Sequence, residues 1–149
     1  GYFMLVVKKF DYKHDIKFLY SLRKNIQVRS FFFNNRIVDY SNHLFWIRKI
    51  AIKNLIFIVY YEQKKIGYIR YDNNHNSYNI SIANLPDFRK KGLMKKAILE
   101  SEKMLKKKTI FAEVITYNKL SIKFFKSCGY KIFQTNNNKL TFKKSLTKN

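Results

Sequence analysis

Tyr78-Asn-Ile-Ser-Ile-Ala-Asn84 runs without a charge, and Leu85-Pro86-Asp87-Phe88-Arg89-Lys90-Lys91-Gly92-Leu93-Met94 follows it directly. The first stretch alternates apolar and small polar residues, the period of a strand. Pro86 cannot donate to a ladder and ends it. Beyond Gly92, Met94, Ala97, Ile98, Ser101 and Leu105 recur at helical spacing, giving one buried face over about Lys90 to Lys107. A strand therefore delivers three basic residues and a glycine to a helix start. The first turn of a helix carries unpaired N–H groups and partial positive charge. Phosphates bind there. Arg89, Lys90 and Lys91 add formal charge, and Gly92 lets a ligand approach the backbone.

A second unit of the same kind follows. Ile110-Phe-Ala-Glu-Val-Ile-Thr-Tyr117 reads as a strand, and Asn118-Lys-Leu-Ser-Ile-Lys-Phe-Phe-Lys-Ser-Cys-Gly129-Tyr130 as a short helix stopped by glycine. Working outward, Phe3 to Val7 is a first strand and Asp11 to Lys24 a helix with Ile16, Leu19, Tyr20 and Arg23 on one face. Val28 to Ile37 is a basic, aromatic connector with partial helical character. Asp39 or Ser41 caps a second helix carrying Leu44, Ile47 and Ile50. Leu55 to Tyr61 and Ile66 to Tyr71 are strands around a turn at Glu62 to Lys65, and Asp72 to Ser77 is another turn. Tyr130 to Gln134 and Leu140 to Lys143 close the chain as a hairpin. The expectation is one α+β domain over residues 1–149: a mixed, mostly antiparallel twisted sheet of six to seven strands with about four helices.

Thirty-one basic residues against nine acidic ones give a net charge of +22. Codon bias explains many of the lysines, but not the scarcity of acids. A positive field concentrates anions, so the partners to weigh are nucleic acid and a nucleotide-linked small molecule. Charge and aromatic content favour a nucleic-acid module superficially. No helix-turn-helix, zinc-finger or RNP-type signature supports it, and the basic residues are spread over the whole chain. No apolar run approaches the roughly 18 residues of a membrane span. One cysteine, Cys128, leaves no internal disulfide framework and fits a reducing, cytoplasmic setting. His14, His43 and His75 lack metal-ligand spacing, so no metal is expected.

The two strand–helix units resemble the GCN5-related N-acetyltransferases. Arg89-Lys90-Lys91-Gly92-Leu93-Met94 is similar to that family's acetyl-coenzyme A motif, and Asn118, Ser121, Gly129 and Tyr130 to its later Asn/Ser/Gly/aromatic motif. The order of elements is also the family's. The resemblance implies acetyl-coenzyme A as co-substrate. The backbone of Ile82, Ala83 and Asn84 would pair with the pantetheine arm. N–H groups from Arg89, Lys90, Lys91, Gly92, Leu93 and Met94 would hold the pyrophosphate, and Asn118, Ser121 and Phe125 would complete the cofactor site. Met94 stands where a small residue is usual, Asn84 where an apolar one is, and Phe125 where relatives carry a Tyr general acid.

Glu113, in mid-strand with Phe111 and Ile115, is the candidate base, since an unpaired carboxylate there is costly. A backbone N–H near Ala83 or Asn84 is the candidate donor to the developing oxyanion. Transfer by direct attack, without a covalent intermediate on the enzyme, is expected.

A finer resemblance covers residues 22–50 and 67–72. Leu22-Arg23, Val28-Arg29, a Phe-rich run, His43-Leu44 with Trp46, and Gly67-Tyr-Ile-Arg70-Tyr-Asp72 resemble the branch that acetylates 4-amino groups of nucleotide-linked deoxy sugars for surface glycans, as in pseudaminic-acid pathways. Lys24 and Asn25 replace that branch's usual Asn-Asp. A nucleotide sugar carries a diphosphate, which Arg23, Arg29 and Arg70 can bind by charge-assisted hydrogen bonds. Phe32, Phe33 and Trp46 can face a base or sugar, and His43 lies in the same group. The competing acceptors are protein and peptide N-termini. A homodimer and a fold without catalysis stay open.

Overall fold

The computed structural model of the chain describes residues 4–25, 39–88 and 92–147. Its elements follow the order β1 (Leu5–Lys9), α1 (Tyr12–Lys24), α2 (Tyr40–Lys53), β2 (Leu55–Tyr61), β3 (Lys64–Asn74), β4 (Ser77–Asn84), a 3-10 turn (Pro86–Phe88), α3 (Leu93–Glu102), β5 (Thr109–Ile115), α4 (Lys119–Ser127), β6 (Lys131–Thr135) and β7 (Lys139–Ser145). The seven strands form one sheet in the order β1-β2-β3-β4-β5-β7-β6. Only β4 and β5 are parallel; every other neighbouring pair is antiparallel. The α+β sheet expected from sequence is observed.

Each helix start has a local cause. The Asp39 side chain accepts from the Asn42 N–H at 2.8 Å and caps α2. Asp11 precedes α1 but makes no side-chain cap; instead its own N–H donates to Asp15 at 2.7 Å. Asp15 is 2% exposed and is paired with Lys65 at 2.7 Å. A carboxylate so deep is costly alone, and Lys65 reaches in from β3 to meet it.

Strand alternation splits the core between the two faces of the sheet. Phe57, Val59, Ile69, Tyr71, Ile80, Ile110, Ala112, Val114 and Phe142 face α3 and α4, meeting Leu93, Ala97, Ile98 and Phe125. Ile56, Ile58, Tyr68 and Ala83 face α1 and α2, meeting Ile16, Leu19, Leu22 and Ile47. Cys128 is buried, and burial pushes its thiol pKa up, so the side chain is a packing group.

Several boundaries differ from expectation. β3 runs to Asn74 and the turn contracts to two residues, because Asp72 to Asn74 pair with Ser77 to Asn79. The first hairpin turns on Glu62 and Gln63, both with positive φ (51° and 68°). α3 ends at Glu102, short of the expected Lys107, yet Leu105 is still buried.

Candidate active site

β4 and β5 pair only through Ser77, Tyr78 and Asn79, opposite Thr109, Ile110 and Phe111. From Ile80 to Asn84, β4 has no β5 partner, and from Ala112 onward β5 has none on that side. The two parallel strands diverge toward their C-terminal ends. α3 begins beyond the first end and α4 beyond the second. A crevice flanked by two helix starts, at the carboxyl ends of parallel strands, is where such sheets bind ligands.

The register decides which amides face the crevice. Leu85 donates to Ile66 at 2.7 Å, and Ala83 lies opposite Tyr68. By the alternation of an antiparallel ladder, Ala83 and Ser81 turn their N–H and C=O toward β3. Ile82 and Asn84 turn theirs toward the opening. Ala83, expected from sequence as a donor, is thereby corrected. Its amide belongs to the β3 ladder, and its side chain is buried under α1 and α2.

Gly92 is the N-cap of α3, at φ 70° and ψ 8°. Among the described residues a Cβ there would meet nothing within 4 Å; the left-handed backbone is what calls for glycine. Leu93 and Met94 are 7% and 5% exposed, with side chains in the core. Only their backbone, at the start of the helix, can face an anion. The sequence motif's Met94 thus fills a packing position. Arg89, Lys90 and Lys91 lie outside the described residues, as do Arg29, Phe32 and Phe33.

Asn118 caps α4, its side-chain oxygen accepting from the Ser121 N–H at 3.2 Å. That leaves the Asn118 amide N–H₂ as the group it can offer a ligand. Phe125 is 6% exposed and packs at 5.2 Å from the Tyr130 ring and 6.2 Å from Phe142. It is a core residue and supplies no proton.

Glu113 lies on the sheet face that carries α1 and α2, opposite the one covered by α3 and α4. Its side chain is 46% exposed, and it meets Lys139 at 3.4 Å. The cost of an isolated buried carboxylate therefore does not arise.

On that same face, Arg70 of β3 donates to Ser81 of β4 at 3.3 Å and pairs with Asp72 at 2.9 Å. Ser81 lies within the unpaired part of β4, so the Arg70 guanidinium stands beside the crevice. The Trp46 ring lies against two guanidinium groups: Arg23 at 4.0 Å and Arg70 at 5.2 Å from its centroid. Asp72 balances Arg70. Among the described residues no carboxylate lies within ion-pair distance of Arg23. Burial pushes the Arg23 pKa down; Tyr68 works against that, and Arg70 adds to it. Arg23, Trp46 and Arg70, with Ile50 and Tyr68, line a small hollow of about 10 Å³.

His43 lies under this group, fully buried. Its ring is 6.0 Å from Trp46 and 5.3 Å from Tyr20. It was expected to touch a substrate; burial instead makes it a support for Trp46 and Arg23. Its Nδ1 lies 3.5 Å from the Arg23 Nη1. Arginine can only donate, so that nitrogen is the unprotonated one. Burial first, and Arg23 second, push its pKa down to about 4. Among the described residues no three His, Cys, Asp or Glu side chains gather as metal ligands.

Comparisons with known proteins agree with this geometry. No curated protein matches the chain. Many solved structures share the fold, and three illustrate the likeness. A domain from Methanocaldococcus jannaschii superposes with TM-score 0.84 at 18% identity, over 97% of this chain and 100% of that one. The acetyltransferase yncA from Salmonella typhimurium, described as putative and solved with acetyl-CoA, gives 0.77 at 15%, over 97% and 95%. The ribosomal-protein-alanine N-acetyltransferase from Brucella melitensis gives 0.77 at 16%, over 95% and 99%. Identities this low speak for the fold alone. Residues 22–130 match the model of the acetyltransferase (GNAT) family. With a splayed β4–β5 pair and a left-handed glycine at the mouth of α3, the chain belongs to the acetyltransferase (GNAT) family and is an acetyl-CoA-dependent N-acetyltransferase.

Proposed function

We propose that the acceptor is the 4-amino group of a nucleotide-linked deoxy sugar, destined for surface glycan synthesis. The observation that carries this reading is the pair of guanidinium groups on Trp46, set beside the unpaired stretch of β4 with one carboxylate between them. An excess of cationic charge with an aromatic face suits a sugar diphosphate. It disfavours polycationic amines, for which a like-charged mouth is a barrier.

The crevice fits acetyl-CoA by its own chemistry. Ile82 and Asn84 present a free ladder edge to an amide-bearing arm, and the mouth of α3 at Gly92 suits a pyrophosphate. When bound, acetyl-CoA supplies an acetyl thioester. The Asn84 and Ile82 N–H groups are donors for charge that develops on a carbonyl oxygen. Glu113, on the acceptor's face of the sheet, takes the proton the attacking amine loses, directly or through one water. Phe125 rules out a phenolic acid at its position, and a thiolate is a tolerable leaving group unassisted. Arg23 and Arg70 hold the diphosphate, and their positive field favours the neutral, reactive form of the amine.

The test is acetyl transfer to a nucleotide-linked 4-amino deoxy sugar, set beside ribosomal N-terminal peptides. The sugar nucleotide should be the better acceptor. Arg23→Gln should raise its KM by about tenfold or more, as loss of a charge-assisted contact predicts, with kcat changed far less. Efficient transfer to peptides with none to the sugar would sink the reading.

A further inference from the structure

α1 and α2 cover β3 on the acceptor's side of the sheet. Among the described residues, no helix covers β5, β7 and β6 on that side. What this uncovered surface presents is a group of rings and cations. β6 pairs with β7 through Lys131↔Lys143 and Gln134↔Thr141, with a bulge between Ile132 and Gln134. A bulge re-aims a side chain and is a built feature of a sheet. Here it sets Phe133 edge-on to Phe111, with ring centroids 5.4 Å apart and the planes inclined at 64°. Phe133 is 56% exposed. The Lys143 ammonium stands over both rings, 5.9 Å from Phe111 and 5.1 Å from Phe133.

Two charge features indicate what rests there. Lys131 and Lys143 are direct cross-strand partners, and like charges so placed are destabilising. Neither has a carboxylate partner among the described residues; Glu113, which shares strand β5 with Phe111, is taken by Lys139. An exposed aromatic ring such as Phe133 would associate with any apolar surface. One carrying two uncompensated ammonium groups selects a partner that is both flat and anionic. The place is equally particular. Phe111 is the residue at which β4 and β5 part, opposite Asn79. Strand spacing and rise put it about 8 Å from Ser81 at the closed end of the crevice, and Ser81 accepts from Arg70.

We infer that Phe111, Phe133 and Lys143 seat the nucleoside end of the acceptor. The base stacks on the exposed Phe133 ring beside Phe111, and a phosphate lies within reach of Lys143 and Lys131. Arg23, Arg70 and Trp46 then form the opposite wall, nearer the amine. The inference rests on the reading that the acceptor is nucleotide-linked. It adds that the base is read by strands β5 to β7 and not by the helices. Stacking tolerates any base, so recognition should depend little on which one is present.

The test uses calorimetric titration of the whole chain with nucleoside diphosphates that carry no amine, and with ribose 5-phosphate. Phe133→Ala is a safe variant because the side chain is exposed. It should weaken nucleoside diphosphate binding by about fivefold or more, the scale of one lost stacking contact. It should leave ribose 5-phosphate and coenzyme A affinities unchanged. Lys143→Gln should weaken both phosphate ligands. Two results overturn the inference: Phe133→Ala binding nucleoside diphosphates as the parent does, or single-stranded oligoribonucleotides binding where mononucleotides do not. Failure of the amino-sugar reading is a separate outcome. It appears as absent transfer to sugar nucleotides, whatever the binding titrations give.

Discussion

His43 shows how one side chain ties chemistry to stability. Its ring is fully buried, and its pKa falls from the usual 6.5 to about 4. Between those values the unfolded chain takes up a proton that the folded chain refuses, so the unfolded state binds more protons there. Stability must therefore fall as pH drops from about 6.5 to about 4, by up to about 3 kcal/mol. Above 6.5 the group is neutral in both states and contributes no pH dependence. Thermal melts across this window should show the loss, and His43→Phe should flatten it. Equal slopes in the two proteins would refute the assignment.

The neighbouring residues show what a sequence can carry. Arg23, Trp46 and Arg70 were legible as candidates because their types suit a diphosphate. That both arginines use one ring was not, since it depends on α1, α2 and β3 meeting. Glu113 was legible as a strand carboxylate, but its exposure was not. The strand pattern alone does not tell a covered face from an open one, and Lys139 arrives from 26 residues further on.

At the scale of elements, the close approach of β3 and β4 is decisive. Gly67 lies opposite Asn84, and a Cβ at Gly67 would stand 2.5 Å from the Ala83 carbonyl oxygen and 2.9 Å from the Asn84 Cβ. Neither neighbour is the far end of a flexible side chain, so the strand itself must give way. Gly67→Ala should cost about 1–3 kcal/mol of stability, the range for overpacking. Because Asn84 is moved, coenzyme A affinity should fall as well. Paired melting and titration measurements check both, and an unaffected affinity would mean that the end of β4 does not contact the cofactor.

The strand–turn–helix units at Pro86 to Met94 and Asn118 to Gly129 were readable because punctuation and periodicity are local. The orientation of the Ala83 amide was not, since one residue of register exchanges the side a group faces. Phe133 escaped notice for a related reason. A bulge is a relation between two strands, and nothing within Lys131 to Thr135 announces it.

At the scale of the whole molecule, a charge of +22 serves attraction and opposes compactness. Salt weakens both effects. Raising ionic strength from about 0.05 to about 0.3 M shortens the screening length from about 14 to about 6 Å, well below the protein's own diameter. KM for acetyl-CoA should then rise several-fold at nearly constant kcat, while the melting temperature should climb. A KM indifferent to salt would show that the field does no steering.

Three residue pairs are all that join β4 to β5 in the ladder. Four strands stand on one side of that short seam and three on the other. On the proposed reading, a thioester donor laid into the gap would lend its amides as a makeshift eighth strand and brace the two leaves of the sheet. The donor would then be consumed as a reagent and, until its spent form departs, serve as part of the scaffold.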